Sequence, residues 1–305
     1  MDTNYIIETK NLTKQYGSQK SVADLNIHVK RGRIYGLLGR NGAGKTTTMK
    51  MLLGLTKPTS GEVKIWGKSL QGNEKKLLPR IGSLIESPGF YPNLTGTENL
   101  RIFATLRGVP NNHAIKDALD LVGLPYKDKK LFSQYSLGMK QRLAIALAVM
   151  HDPELLILDE PINGLDADGM RIMREVLTNI ATSGRTVVIS SHVLGELEKI
   201  ATHYGIVRGG KMIVEMTAEE LEASCRTYVA LQAKDMNRTK MVLCSKYARV
   251  EEDEVGYLRV YDLVTPEEIV NYLYENNILI SKIKTDKIGL EDYYIDLMKG
   301  GRADG

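Results

Sequence analysis

The sequence predicts an α/β fold interrupted by a helical insertion and followed by a smaller α+β unit. Three observations lead there. Short apolar runs bounded by turns alternate with helical patterns over roughly the first 220 residues, as in sheets covered on both faces. Between about 90 and 150 the pattern is helical alone. After about Ala223 the fully apolar strands stop and shorter, more polar ones take over.

The runs IYGLL (34–38), LLIL (155–158), TVVIS (186–190) and YGIV (204–207) read as buried parallel strands. TENLRIFATLRG, AIKDALDLVGL and SLGMKQRLAIALAVM supply the helical insertion. RGGK (208–211) is a tight turn between two strands, and Thr217 with Glu220 forms a capping box for a closing helix. The first domain is thus expected over 1–223, its helical subdomain at about 90–150, and an accessory domain over 224–305. In the latter, TYVALQA (227–233), YLRVYD (257–262) and LISKIK (279–284) are strand-like. TPEE (265–268) opens a helix with proline at its first position and a capping box, and LEDYYIDLM (290–298) is an amphipathic closing helix. The acidic EEDE (251–254) reads as a solvated turn.

Composition narrows the function. The chain has 305 residues, 43% hydrophobic and 26% charged, which suits a globular protein. A net charge of +4 is too mild to argue for nucleic acid. The longest apolar run, LAIALAVM (143–150), is far short of the ~20 residues of a spanning helix. A cytoplasmic chain that meets a membrane through a partner is therefore expected. Cys225 and Cys244 lack metal or redox spacing and read as inert thiols.

The chemistry is concentrated in GRNGAGKT (39–46), which fits G-x-x-x-x-G-K-[ST] with a strand before it and a helix after it. Gly39, Asn41, Gly42, Ala43 and Gly44 let the backbone N–H groups curl around phosphates at the positive end of a helix. Lys45 supplies a point charge to the outer phosphates, Thr46 a hydroxyl for Mg²⁺, and Thr47 is the last of the ATP-binding residues. LLILDE (155–160) adds Asp159 for the same Mg²⁺, mostly through water, and Glu160 as a general base toward the attacking water. ATP and Mg²⁺ are the cofactors this pairing calls for.

YSLGMKQR (135–142), PINGLD (161–166) and SSH (190–192) accompany these motifs. In order and spacing they resemble the ATP-binding subunits of ABC transporters, over residues 5 to about 222. The resemblance implies a phosphate-loop ATPase core with an antiparallel β subdomain. It implies that Ser136, Gly138 and Met139 form the signature that meets the γ-phosphate of the opposite subunit. It makes Asp166 the dimer-loop aspartate and His192 the switch histidine. Tyr16 is either the aromatic that stacks on adenine or a buried hairpin tyrosine. A two-fold homodimer, a separately encoded permease in the membrane, and no nucleic-acid partner follow from the same resemblance.

Two segments depart from the family pattern. The signature reads Tyr-Ser-Leu-Gly-Met, so one glycine and the glutamine are replaced. Glu86, in IGSLIESPGF (81–90), stands where the family's lid loop has glutamine, a place that reaches toward Mg²⁺ and the membrane subunit. A carboxylate there is similar to the ATPases of lantibiotic-immunity and bacitracin-resistance exporters, or is a tolerated exposed acid. Export of a peptide antibiotic is the expected function. An ATP-driven clamp on ribosome or DNA is the alternative, though neither a second such domain nor a heptad insertion is visible.

Overall fold

The central parallel strands Ile34–Leu38, Leu155–Leu158 and Thr186–Ser191 are buried along their whole length, which is why their sequence runs show no alternation. The computed structural model describes residues 5–109, 112–224, 227–253, 255–261, 264–287, 293–295 and 297. The chain divides into two compact units, Met1–Ala218 and Glu219–Gly305.

In the first unit an antiparallel sheet is built from β1 (Tyr5–Tyr16), β2 (Gln19–Leu25), β3 (His28–Lys30), β5 (Ser60–Ile65) and β6 (Lys68–Ser69). Its order is β2-β1-β5-β6, with β3 also on β1. The central sheet comprises β4 (Ile34–Leu38), β7 (Ile81–Leu84), β8 (Leu155–Leu158), β9 (Thr186–Ser191), β10 (His203–Arg208) and β11 (Lys211–Thr217), in the order β11-β10-β4-β9-β8-β7. All neighbours are parallel except β10 and β11, which form the hairpin closed by Arg208 and Lys211.

Helix α1 (Lys45–Leu52) follows β4, and the single-turn α2 (Glu74–Leu77) precedes β7. The insertion consists of α3 (Gly96–Arg107), α4 (Asn112–Leu121) and α5 (Leu137–Val149). Thr95 and Glu98 cap α3 reciprocally, and Gly108 ends it at φ 68°, a conformation that glycine adopts without strain. Helix α6 (Ala167–Thr182) returns from β8 to β9, α7 (Leu194–Leu197) precedes β10, and α8 (Ala218–Ser224) spans the division between the units.

The second unit has its own antiparallel sheet of β12 (Thr227–Ala233), β13 (Val250–Glu252), β14 (Leu258–Val260) and β15 (Ile280–Lys287), ordered β13-β14-β12-β15. Val229, Leu231, Leu258 and Val260 pack with Leu243 of α9 (Met236–Lys246) and with Ile269 and Leu273 of α10 (Pro266–Glu275). Thr265 and Glu268 cap α10 in both directions, with Pro266 at its start.

The acidic EEDE stretch is not simply a turn. Glu251 and Glu252 lie in β13 and pair with Arg249 and Lys240. Asp253 organises the bend by accepting the N–H groups of Val255 and Tyr257 and the guanidinium of Arg259. Three hydrogen bonds to a carboxylate outweigh its preference for water, so Asp253 ends β13 in an ordered bend; Glu254 lies outside the described residues. Most of the closing helix expected at 290–298, and Cys225, lie outside the described residues; Cys244 is a free, exposed thiol.

Gly82 shows how tightly the insertion seats on the sheet. A Cβ there would stand 2.2 Å from the Ala148 carbonyl oxygen near the end of α5. Gly82→Ala should therefore force backbone to move and destabilise the first unit by about 1–3 kcal/mol. A lowered urea midpoint checks this, and an unchanged midpoint would show that α5 is free to shift.

Candidate functional site

Register places the site. Leu38 of β4 faces Ser191 of β9, and Leu158 of β8 faces Ile189, so the carboxyl ends of three parallel strands lie side by side. Ligands of open α/β sheets collect at such an edge. Gly39 leaves β4 there, Asp159 and Glu160 leave β8, and His192 leaves β9.

The phosphate loop is held by backbone contacts that admit no side chain at two positions. A Cβ on Gly39 would lie 2.6 Å from the Val207 carbonyl oxygen, and one on Gly44 would lie 2.4 Å from that of Ser21. Gly42 and Gly44 have φ of 80° and 100°. The Gly210 N–H donates to the Ala43 carbonyl, and the Gly210 carbonyl accepts from the Ala23 N–H, so the β10–β11 hairpin braces the loop against β2. Asn41 and Gly42 are exposed at its tip, and Thr47 is half-buried one residue beyond Thr46.

Lys45 is only 5% exposed, and its ammonium donates to the Gly39 carbonyl at 2.7 Å and lies 3.3 Å from a Glu160 oxygen. The other Glu160 oxygen lies 2.6 Å from His192 Nδ1. Glu160 is thus held between a lysine and a histidine, with φ 48°, a left-handed conformation that is strained for a residue with a Cβ. Thr46 Oγ1 donates to Asp159 Oδ2 at 2.7 Å, while Ser190 Oγ donates to Asp159 Oδ1 and accepts the Glu160 N–H at 2.9 Å. A hydroxyl and a carboxylate in contact at the foot of the phosphate loop fit Mg²⁺, which prefers oxygen and keeps much of its water.

Glu86 stands apart from that pair. It sits in the left-handed region at φ 65° just after β7, and its side chain, 73% exposed, is bonded to Lys50 Nζ at 2.8 Å. That bond holds the Glu86 carboxyl below the usual carboxylate range and pushes the Lys50 ammonium up. Among the described residues no three acids, histidines or cysteines gather as a metal group; Glu86 is engaged by Lys50, whereas Asp159 is engaged by Thr46 and Ser190. The competing cation, Lys50, lies one helical turn beyond Thr46 on α1.

Tyr16 pairs with Gln19 in the β1–β2 hairpin, yet its ring is 51% exposed, so it is not a buried hairpin residue. Lys14 Nζ lies 4.9 Å from the ring centroid. Ser136 is the N-cap of α5, accepting from the Met139 N–H at 3.3 Å. A Cβ on Gly138 would meet Leu165 at 3.4 Å. Asp166 caps α6 by accepting from the Gly169 N–H at 2.8 Å. These contacts are local to the starts of α5 and α6 and to the β1–β2 hairpin.

The family model described as ABC transporter matches residues 22–163. A bacitracin transport ATP-binding protein of Bacillus licheniformis is 48% identical over 301 residues, covering 97% of this chain and 98% of that protein. The chain belongs to the ABC transporter ATP-binding proteins. A lantibiotic transport ATP-binding protein of Streptococcus pyogenes is 41% identical over 210 residues, covering 69% of this chain and 90% of that one. Among solved structures, the cbiO1 component of an ABC transporter complex from Clostridium perfringens superposes with a TM-score of 0.66 at 26% identity, over 72% of this chain and 91% of its own. A dimeric ATP-binding cassette carrying ADP and phosphate shares the fold at a TM-score of 0.62 and 24% identity, over 70% of this chain and 98% of its own.

The protein is therefore the ATP-hydrolysing subunit of an ABC transporter. Such subunits form dimers and work with separate permease components. Among the described residues no helix is long and apolar enough to cross a membrane. Three residues of the ABC site escaped the motif reading. Lys50 and Ser190 carry no local signal of their pairing, because their partners Glu86 and Asp159 are 36 and 31 residues away. Gln141 Nε2 bonds the Asn163 carbonyl at 2.8 Å and ties α5 to the loop leading to Asp166. The i,i+4 spacing of Thr46 and Lys50 was the one available signal.

Gly44→Ala should break the phosphate cradle, since the new Cβ meets a carbonyl oxygen and φ 100° is strained for alanine. Strain of about 1–3 kcal/mol corresponds to a loss of roughly ten- to hundredfold in nucleotide affinity. Titration with a fluorescent ATP analogue checks it, and parental affinity would show the cradle adapts.

Proposed function

We propose that this subunit powers the export of a peptide antibiotic of the bacitracin type. The observation that carries this reading is the 48% identity to a bacitracin transport ATP-binding protein over nearly the full length of both chains. A second such protein, from Enterococcus faecalis, is 47% identical with 99% of each chain covered. The lantibiotic relative aligns over 210 residues only, which favours the bacitracin class for the whole chain.

In this reading residues 1–223 are the ATP-binding domain and 224–305 an accessory domain. Tyr16 offers an exposed ring for adenine, and the loop N–H groups with Lys45 bind the phosphates. Thr46 and Asp159 would hold Mg²⁺, which when bound offsets phosphate charge; Glu86 would join them only after leaving Lys50. Glu160 takes the proton of the attacking water, and the arriving phosphates draw Lys45 away from it. His192 then holds the Glu160 carboxylate in place through its ring N–H. Ser136, Gly138 and Met139 at the start of α5 close the site of a second copy, with Asp166 beside them at the two-fold axis. Closure of the dimer drives a permease, which places the subunit at the inner face of the membrane.

Glu160→Gln should bind ATP normally, hydrolyse it about 10²–10⁴-fold more slowly and accumulate as an ATP-bound dimer. Single-turnover rates and size-exclusion chromatography read both effects; turnover near the parental rate would remove Glu160 as the base. Deleting the gene should sensitise cells to bacitracin-type peptides and not to unrelated drugs, with rescue by the parental form alone. An unchanged susceptibility profile would overturn the substrate class while leaving the ATPase intact.

A further inference from the structure

Ser190 stands next to the end of β9 with no solvent exposure, between the two acids that leave β8. Because Leu158 faces Ile189, the next residue of each strand brings the Asp159 carboxylate against the Ser190 hydroxyl. That hydroxyl has one proton, given to Asp159 Oδ1, and a lone pair that accepts the Glu160 N–H at 2.9 Å. The two bonds coexist on one oxygen, so a single side chain couples both acids.

Each bond restrains something that is otherwise soft. The terminal torsion of an aspartate is broad and nearly two-fold. With Oδ1 taken by Ser190, Oδ2 is the oxygen turned to Thr46, at 2.7 Å. Glu160 is strained at φ 48°, and its N–H has Ser190 as acceptor; without it a main-chain donor would be left unpaired beside a buried strand end. Relaxation of that backbone would swing the Glu160 carboxylate away from Lys45 and His192.

We propose that Ser190 is a positioning residue, whose hydroxyl orients Asp159 toward the cation position and locks Glu160 in its catalytic conformation. The proposal rests on the reading of Asp159 and Glu160 given above. It differs from a packing role, because removing the hydroxyl subtracts one atom and adds no volume.

The test uses the full chain with Ser190→Ala and Ser190→Thr. Binding of a fluorescent ATP analogue is titrated in EDTA and in Mg²⁺, alongside steady-state ATP turnover and thermal melting. For the alanine variant, affinity in EDTA should match the parent. The gain in affinity on adding Mg²⁺ should shrink about tenfold and kcat should fall about 10–100-fold, as for loss of groups that orient metal ligands. Threonine, which keeps the hydroxyl on a β-branched frame suited to a strand, should recover both. The proposal is overturned if the alanine variant keeps the Mg²⁺-dependent gain and kcat within about twofold of the parent, whatever its melting temperature. It is equally overturned if the threonine variant melts like the parent yet stays as defective as alanine. Glu160→Gln assayed in parallel separates the two readings: its full turnover would sink the general-base role, while the binding arm judges Ser190 independently.

Discussion

The site is organised around one buried cation. Lys45 Nζ is withdrawn from water and compensated by the Gly39 and Arg40 carbonyls and the Glu160 carboxylate. A buried ammonium without such partners would be strongly unfavourable, so the loop, the β8 acids and the β9 end must hold their relative places for the fold to tolerate it. The same requirement makes the site responsive. In the proposed function, a phosphate would replace these acceptors at Lys45 and leave Glu160 to His192 and water.

That dependence extends outward through backbone. Gly39 and Gly44 lack room for any side chain because Val207 and Ser21 carbonyls lie against them, and Gly210 joins the hairpin to both the loop and β2. The antiparallel sheet thereby braces the GRNGAGKT loop from outside the motif. On the far side, Asp159 N–H bonds the Leu84 carbonyl, so the lid loop starts from a strand pinned to the acids.

Glu86 shows how one substitution changes the character of a loop. An amide in its place would offer Lys50 an uncharged acceptor, whereas the carboxylate forms an ion pair with it. Both partners face solvent, so the pair contributes little to overall stability and is screened by salt. Its consequence is local: it ties the loop after β7 to helix α1 and occupies the Glu86 carboxylate.

The sequence by itself determined the chemistry and most of the architecture. The phosphate loop, the acids after LLIL, the four apolar strands and the capped helices α3, α5 and α10 are all local patterns, set within a few residues by φ/ψ limits, burial and caps. Only the tertiary structure decided which groups meet. Glu160 with His192, Asp159 with Ser190, and Glu86 with Lys50 join residues more than thirty positions apart, brought together by strand register and helix placement. It also placed Glu251 and Glu252 in a strand and Asp253 in an ordered bend, because three hydrogen bonds from beyond the stretch hold the Asp253 carboxylate. Local patterns report what a residue offers; the pairing of distant offers is a property of the packed sheet.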